Sequence, residues 1–548
     1  MPPPLAPTRW RGFLLLVSVF TLFLSVFVAT ASSDIYGTGD TGIRIQVAQN
    51  FTGRLSLSMY GWKLQQPRHQ KKEQLDPRIT RGRNNLTYST YLPGQPLLVM
   101  PLDIAGTRLA VHERWPFGPA LYWFDRLVGP IIGAFEVLIF FVFAVRLSYG
   151  RRVAFALTSI FAFATMCWPD EQSVNEHTVV AFSLLVGWYA AFRYRDQHAP
   201  PWYLLLAGVG IGGAFITRYQ DAAVALAGLG VYLLLPRAEP TALLGRARDC
   251  VLVGIGLLPF ALLILWYNWV RFGSITATGH HESTFGYAIW LGASGLLFSP
   301  GKGLIWYCPT VVLLLFAGRP FFRRYGALLT GFAVMSVLIF TLYGAVTFWH
   351  GDPTWGPRYV YPIVPFLTLP LGMLLPAFRR LSWTSAITGL VIAVSLLVQV
   401  SAVSVSEWRS WYRVIAYEEA KGYPWQWQAS RYRYFWNPAE SPLNYQLHGL
   451  YQMTYDALLH TSHYEIVPPV EDGTLDNLSF QYSINQWNFW WKSDELSWWM
   501  GRQKIVAALL ILAGLGLASG TYIASEFSGV WDEPEARRAG DEPLEVAA

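Results

Sequence analysis

Charge is what this chain has little of. Asp, Glu, Lys and Arg make up 14% of its 548 residues while 53% are hydrophobic, against about 25% charged in soluble domains. That shortage excludes an ordinary water-soluble enzyme. Cysteine is scarce too: Cys167, Cys250 and Cys308 lie in or beside apolar runs at unrelated spacings. They form neither a disulfide framework nor a CxxC metal site and read as small apolar fillers. The phosphate-loop pattern GxxxxGK[ST] is absent, so nothing points to a nucleoside triphosphate. An internal repeat of the kind that marks many transporters is missing as well.

What the chain does have is apolar runs. Gly12 to Ala31, preceded by Arg9 and Arg11, has about 20 residues, enough for a ~30 Å hydrocarbon core and longer than a signal-peptide core of about 7–15. "VATASSD" resembles a cleavage signal, but the many runs that follow favour an uncleaved first helix. Further spans are expected at Leu127–Leu147, Val153–Trp168, Thr178–Phe192, Trp202–Thr217, Gln220–Leu235 and Val251–Trp266. Others are expected at Leu304–Ala317, Gly326–Tyr343, Val360–Phe378, Ser385–Val403 and Ile505–Ile523. The expected fold is an all-α polytopic membrane protein with about 12 transmembrane helices.

Positive charge orients it. "RLSYGRR", "RYRDQH", "PRAEPTALLGRARD", "GRPFFRR" and "FRR" are short, Arg-bearing and fall on one side, which the positive-inside rule makes cytoplasmic together with both termini. Two long segments then lie outside, 32–123 and 404–503. The first carries the basic stretch Lys63–Arg83, a mild conflict because long loops translocate regardless of charge. The sequons at Asn50, Asn85 and Asn477 are also outside. The expected organisation is a core over 1–403, a Trp-rich outer segment over 404–503, and a last span with an acidic, disordered cytoplasmic tail over 504–548.

Ionisable groups gather at the outer helix ends. Asp34 and Asp40 follow the first span, Asp170, Glu171 and Glu176 lie between the third and fourth, and Arg218, Lys302 and Arg358 join them. A carboxylate beside cations at lipid level suits deprotonation of a nucleophile while a phosphate leaving group is held. "SPGKG" (Ser299–Gly303) reads as a tight turn ahead of a helix, an anion-binding corner of free N–H groups with Lys302 beside it. Bland readings stand beside these. Asp40 is placed to cap "GIRIQVAQNF", whose Ile43, Val47 and Phe51 form a stripe suited to the membrane surface. Glu176 is placed to cap the fourth span, Asp170 and Glu171 read as solvated, and Arg358 or Lys302 would serve as headgroup anchors. The outer tryptophans suit an interfacial belt. His280, His281 and Glu282 are too close in sequence to make a metal site alone.

Several segments together resemble a known family: the Asp-bearing loop, "YSTYLPGQPLLVMPL", "WPDEQSVNEHTVVAF", "FITRYQDAAVAL", "LLFSPGKGLIWYCPT" and "WGPRYVYPIVPF". Over roughly Gly12–Pro370 the chain resembles the GT-C superfamily of polyprenyl-phosphate-dependent glycosyltransferases, nearest the bacterial relatives of protein O-mannosyltransferases and aminoarabinose transferases. SPGKGL and GPRY are the most specific parts. The resemblance implies a GT-C fold with juxtamembrane helices in the first outer loop, and inverting sugar transfer from a polyprenyl-phosphate-linked donor to an extracytoplasmic glycan, lipid or protein acceptor. It also implies Asp40 as the carboxylate that acts as, or positions, the general base, with Asp34 as fallback, Glu176 as a second acid with Asp170 and Glu171 as rivals, and Arg358, Lys302 and Arg218 on the donor phosphate. Superfamily members differ in using a divalent cation, so metal use stays open. Membrane lipids are expected partners and nucleic acid is not. The competing classes are a transporter or lipid-linked-sugar flippase, which would also have about 12 helices, and a scaffold protein presenting the Trp-rich segment.

Overall fold

The computed structural model describes residues 8–33, 39–59, 78–114, 123–237, 242–279, 285–351, 354–379, 382–406, 435–461, 487–492 and 500–528. Asp34, the His280–Glu282 cluster, Asn477, most of the Trp-rich segment and the acidic tail therefore lie outside the described residues.

The chain is helical almost throughout. Among the described residues, six helices are long and apolar enough to cross a membrane: Trp10–Ala29, Trp123–Arg146, Leu243–Phe272, Pro309–Gly344, Trp383–Ser404 and Arg502–Phe527. Arg151–Phe163, Glu176–Gln197, Trp202–Thr217 and Tyr219–Leu234 complete the bundle. All but Pro309–Gly344, which runs across two expected spans, agree in place with one expected span each, because a helix satisfies its own backbone groups where water is absent.

Two expected spans come out differently. Leu304–Ala317 begins as a four-residue turn, Leu304–Tyr307, passes through a 3-10 stretch started by Pro309, and only then becomes α-helical at Leu314. That helix breaks at Tyr325 (φ −131°, ψ 47°), where the chain reverses and returns to Gly344. Val360–Phe378 is a relay of 3-10 and α segments. Pro362, Pro365, Pro370 and Pro376 each remove an N–H donor there, which shortens every helical piece. Val360, Tyr361, Ile363 and Val364 are fully buried, so the first part of this irregular backbone lies inside protein rather than against lipid. One short apolar helix, Ile289–Phe298, was not anticipated.

Helices touch where glycine allows it. A Cβ on Gly208 would sit 2.1 Å from the Val253 carbonyl oxygen, and one on Gly256 would sit 2.1 Å from that of Leu205. Gly210 would meet the Gly187 nitrogen at 2.4 Å. These contacts draw Trp202–Thr217 between Leu243–Phe272 and Glu176–Gln197, the small-residue packing that membranes favour. The ends of these helices carry Glu176 and Arg218.

In the loop after the first span, Gly39–Arg54 and Gly94–Glu113 are the juxtamembrane helices. Between them lies an antiparallel pair of strands, Ile79–Arg81 and Thr87–Ser89, with Ile79 opposite Ser89. The Gly39–Arg54 helix does not lie on a lipid surface as its apolar stripe suggests. Ile43 and Val47 are covered by Met59 and Ile79, while Ile45 and Ala48 pack on Val99, Val128 and Val179. Protein covers two faces, which fixes the direction in which Asp40 points.

Candidate active site

Asp40 occupies the first turn of its helix, with its side chain 23% exposed. The capping expectation does not hold. Oδ1 accepts the Tyr91 hydroxyl at 2.5 Å and the Arg78 guanidinium at 3.5 Å, and no backbone N–H among the described residues bonds to it. Oδ2 faces Arg358 Nη1 at 3.8 Å, beyond a good hydrogen bond. Burial alone would raise the carboxyl pKa. The Arg358 and Arg44 guanidiniums and the Tyr91 hydroxyl outweigh it, so Asp40 lies below its ordinary value. Burial, reinforced by the Asp40 charge, pushes the Tyr91 hydroxyl well above its ordinary value, which keeps it a donor.

Arg44 lies one turn along from Asp40 and so shares its helix face. Its guanidinium covers the Tyr91 ring at 4.0 Å and pairs with Glu176 Oε2 at 2.5 Å. The other oxygen of Glu176 takes Arg218 Nη1 at 2.5 Å. Arg218 is engaged on all three nitrogens: Nε donates to Asp221 at 2.8 Å and Nη2 to the Tyr343 oxygen at 2.7 Å. The Tyr343 hydroxyl in turn donates to Asp221 at 2.6 Å. Glu176 thus ties the outer-loop helix to the bundle. Asn175, not Glu176, caps its helix, accepting the His177 N–H at 3.3 Å.

Arg358 is 8% exposed and its Nη2 donates weakly to the Tyr359 hydroxyl at 3.4 Å. Its Nε is buried without a partner. The Tyr359 ring stacks on Tyr343 with centroids 4.7 Å apart. Among the described residues, the guanidiniums of Arg44, Arg78, Arg218 and Arg358 therefore face the carboxylates of Asp40, Glu176 and Asp221.

Lys302 is drawn into the loop that carries Arg358. Its ammonium donates to the carbonyls of Thr354 and Gly356 and lies 3.5 Å from the Thr354 hydroxyl. The SPGKG corner does not offer free N–H groups. Gly301 N–H goes to the Phe435 carbonyl, and those of Lys302 and Gly303 go to Ser299. The turn closes on its own serine, so the N–H groups of Lys302 and Gly303 are spent inside it.

Asp170 and Glu171 are buried rather than solvated, at 6% and 0% exposure. The single helical turn Cys167–Asp170 tucks into the bundle, Asn175 donates to Asp170 at 2.7 Å, and Glu171 lies against the bare face of Gly133. Glu136, Cys167 and Glu171 place three possible ligand atoms within 4.8 Å of one another, and the Tyr361 hydroxyl donates to Glu136. That donor set would suit a borderline-soft cation. At Asp40 the fit is poor, because Asp40, Glu176 and Asp221 are each already matched by a guanidinium. No cofactor is established.

Sequence reasoning gathered Asp40, Glu176, Arg218 and Arg358 into one neighbourhood and overlooked Tyr91, Arg44, Arg78, Asp221 and Tyr343. Arg44 had a signal: a lone cation one turn from Asp40 between apolar residues.

The fold and this cluster define a polytopic helical membrane protein with an acid–guanidinium site at the helix ends. Neither a family model nor a curated protein matches the chain. Among solved structures it is similar to ArnT from Cupriavidus metallidurans bound to undecaprenyl phosphate, with 14% identity and a TM-score of 0.45 over 96% of this chain and 81% of that one. It is also similar to the archaeal oligosaccharyltransferase AglB from Archaeoglobus fulgidus in complex with an inhibitory peptide and a dolichol-phosphate, with 10% identity and a TM-score of 0.41 over 79% of this chain and 60% of that one.

Proposed function

We propose that the protein is a glycosyltransferase that moves a sugar from a polyprenyl-phosphate donor to an extracytoplasmic hydroxyl with inversion. The observation that carries this reading is Arg358: a buried guanidinium with an unused Nε, facing a carboxylate oxygen that is not hydrogen-bonded. The acceptor oxygen attacks the anomeric carbon, the bond from that carbon to the phosphate oxygen breaks, and the electron pair leaves with the polyprenyl phosphate. Asp40 takes the acceptor proton, and Arg358 offsets the charge that develops on the leaving group.

The depressed pKa of Asp40 fits this order of events. With Arg358 as neighbour the carboxylate is a weak base. A donor phosphate that recruits Arg358 removes that cation from Asp40 and raises its basicity when the acceptor needs it. Glu176 and Arg218 act as positioning residues, and Lys302 holds the Arg358 loop. Residues 1–403 form the catalytic core, 404–503 an outer segment and 504–548 the last span with its tail. The alternative, a transporter or flippase, is weakened because these charges sit at helix ends rather than at mid-depth.

Asp40→Asn keeps size and loses basicity. Transfer from a polyprenyl-phosphate sugar should fall by about 10²–10⁴-fold with no loss of folded protein in the membrane. Full activity in that variant would overturn the assignment.

A further inference from the structure

The helices that deliver the Asp40 cluster also build something at their other ends. Glu176–Gln197 carries Glu176 at one end and Arg195 near the other. The helix after Arg218 ends at Leu234, just before Pro236 and Arg237. Tyr343 is near the end of the helix that resumes after Tyr325. Some eighteen or nineteen residues at 1.5 Å each put the two ends about 27–28 Å apart, close to a hydrocarbon thickness.

At that far end lies a cavity of about 510 Å³ lined by Arg195, Arg237, Arg324, His198, Tyr194 and Asp196, among others. Three of the short basic loops, "RYRDQH", "PRAEP" and "GRPFFRR", converge on it. Its guanidiniums are only partly spent. Arg195 donates to Asp196 and to the Leu235 and Pro236 carbonyls at 3.3, 3.3 and 3.1 Å, leaving its buried Nε without a partner. Arg237 pairs with Asp249 at 2.6 Å, and its Nε is likewise buried and unpartnered. Arg324 has no acid partner among the described residues. Gly326, Ala327 and Leu328 also line the cavity. They are the first residues after the backbone break at Tyr325.

We propose that this cavity is a binding site for a phosphate ester, on the membrane face opposite Asp40. Two guanidiniums whose Nε atoms are buried and unpartnered, and a third without an acid among the described residues, are donors of the kind that a phosphate oxygen set needs. The volume suits a headgroup or a small phosphorylated molecule. Position at a membrane boundary favours an anionic phospholipid, and the chemistry is the same for a soluble phosphate ester.

The test uses the purified full chain in detergent, titrated separately with short-chain phosphatidylglycerol, short-chain phosphatidylcholine and glycerol 3-phosphate, with occupancy read by native mass spectrometry. Phosphatidylglycerol should bind at least 10-fold more weakly to the double variant Arg237→Gln/Arg324→Gln, and at least 3-fold more weakly to Arg324→Gln. The single variant alters an exposed side chain and guards against misfolding of the double one. Asp40→Asn should bind as the unaltered chain does. Glycerol 3-phosphate binding with the same sensitivity supports the site and names a soluble source. Failure of both anions to bind, phosphatidylcholine binding equally well, or affinity indifferent to both variants would overturn it.

Discussion

Asp40 is held between opposing effects, and the balance has a pH consequence. Burial disfavours its charge, while Arg358, Arg44 and Tyr91 favour it and prevail. A folded pKa below the unfolded one means that this stabilisation is present above the unfolded value and is lost as pH falls through the folded value. The acid limb of activity should follow the same group. Tyr91→Phe removes the 2.5 Å hydrogen bond, raises the Asp40 pKa and should move that limb to higher pH; a pH–rate profile with the limb unmoved would dissociate Asp40 from the chemistry. Glu176 has a different part. Its carboxylate is 9% exposed between two guanidiniums, so Glu176→Gln strands buried charge and should destabilise the fold by about 3–5 kcal/mol. Thermal unfolding in detergent measures this, and an unchanged midpoint would show that the bridge between outer loop and bundle is dispensable.

At the scale of elements, glycine decides how closely helices approach. Gly256 and Gly254 lie two residues apart on Leu243–Phe272, yet a Cβ on Gly256 would meet backbone at 2.1 Å and one on Gly254 would meet nothing within 4 Å. Gly256→Ala should lower the unfolding temperature and displace Arg218. Gly254→Ala should be neutral or stabilising by up to about 1 kcal/mol from helix propensity alone. Equal effects in the two variants would mean that the crossing is looser than described. Such contacts were invisible in the sequence, where both residues read only as small. The spans themselves were legible, because apolar runs of membrane length admit few alternatives. Legibility failed where proline density broke the helix at 358–379 and where a 3-10 stretch from Pro309 interrupts Leu304–Ala317. Hydropathy records that a segment is apolar and does not record which backbone it adopts.

For the whole molecule, the acids and cations of the candidate site were legible as a set at the outer helix ends, but their pairing was not. Arg218 and Lys302 carry the charge expected of phosphate ligands and spend it on Glu176, Asp221 and backbone carbonyls. Only packing reveals which cation is left with an unused donor. The same bundle geometry sets Asp40 and the second cavity at opposite ends, and this yields a test of orientation that does not depend on activity. Cys167 and Cys308 are buried and Cys250 is only partly so, so with Cys250→Ala the background reactivity of the chain toward a membrane-impermeant maleimide should be low. Leu86, 38% exposed in the turn between the two strands of the Asp40 loop, should react as Leu86→Cys in intact cells. Arg319, exposed on the descending helix ahead of Tyr325, should react as Arg319→Cys only after permeabilisation. The reverse pattern would place Asp40 on the cytoplasmic face, and labelling of both from outside would contradict a bundle that spans the membrane between them.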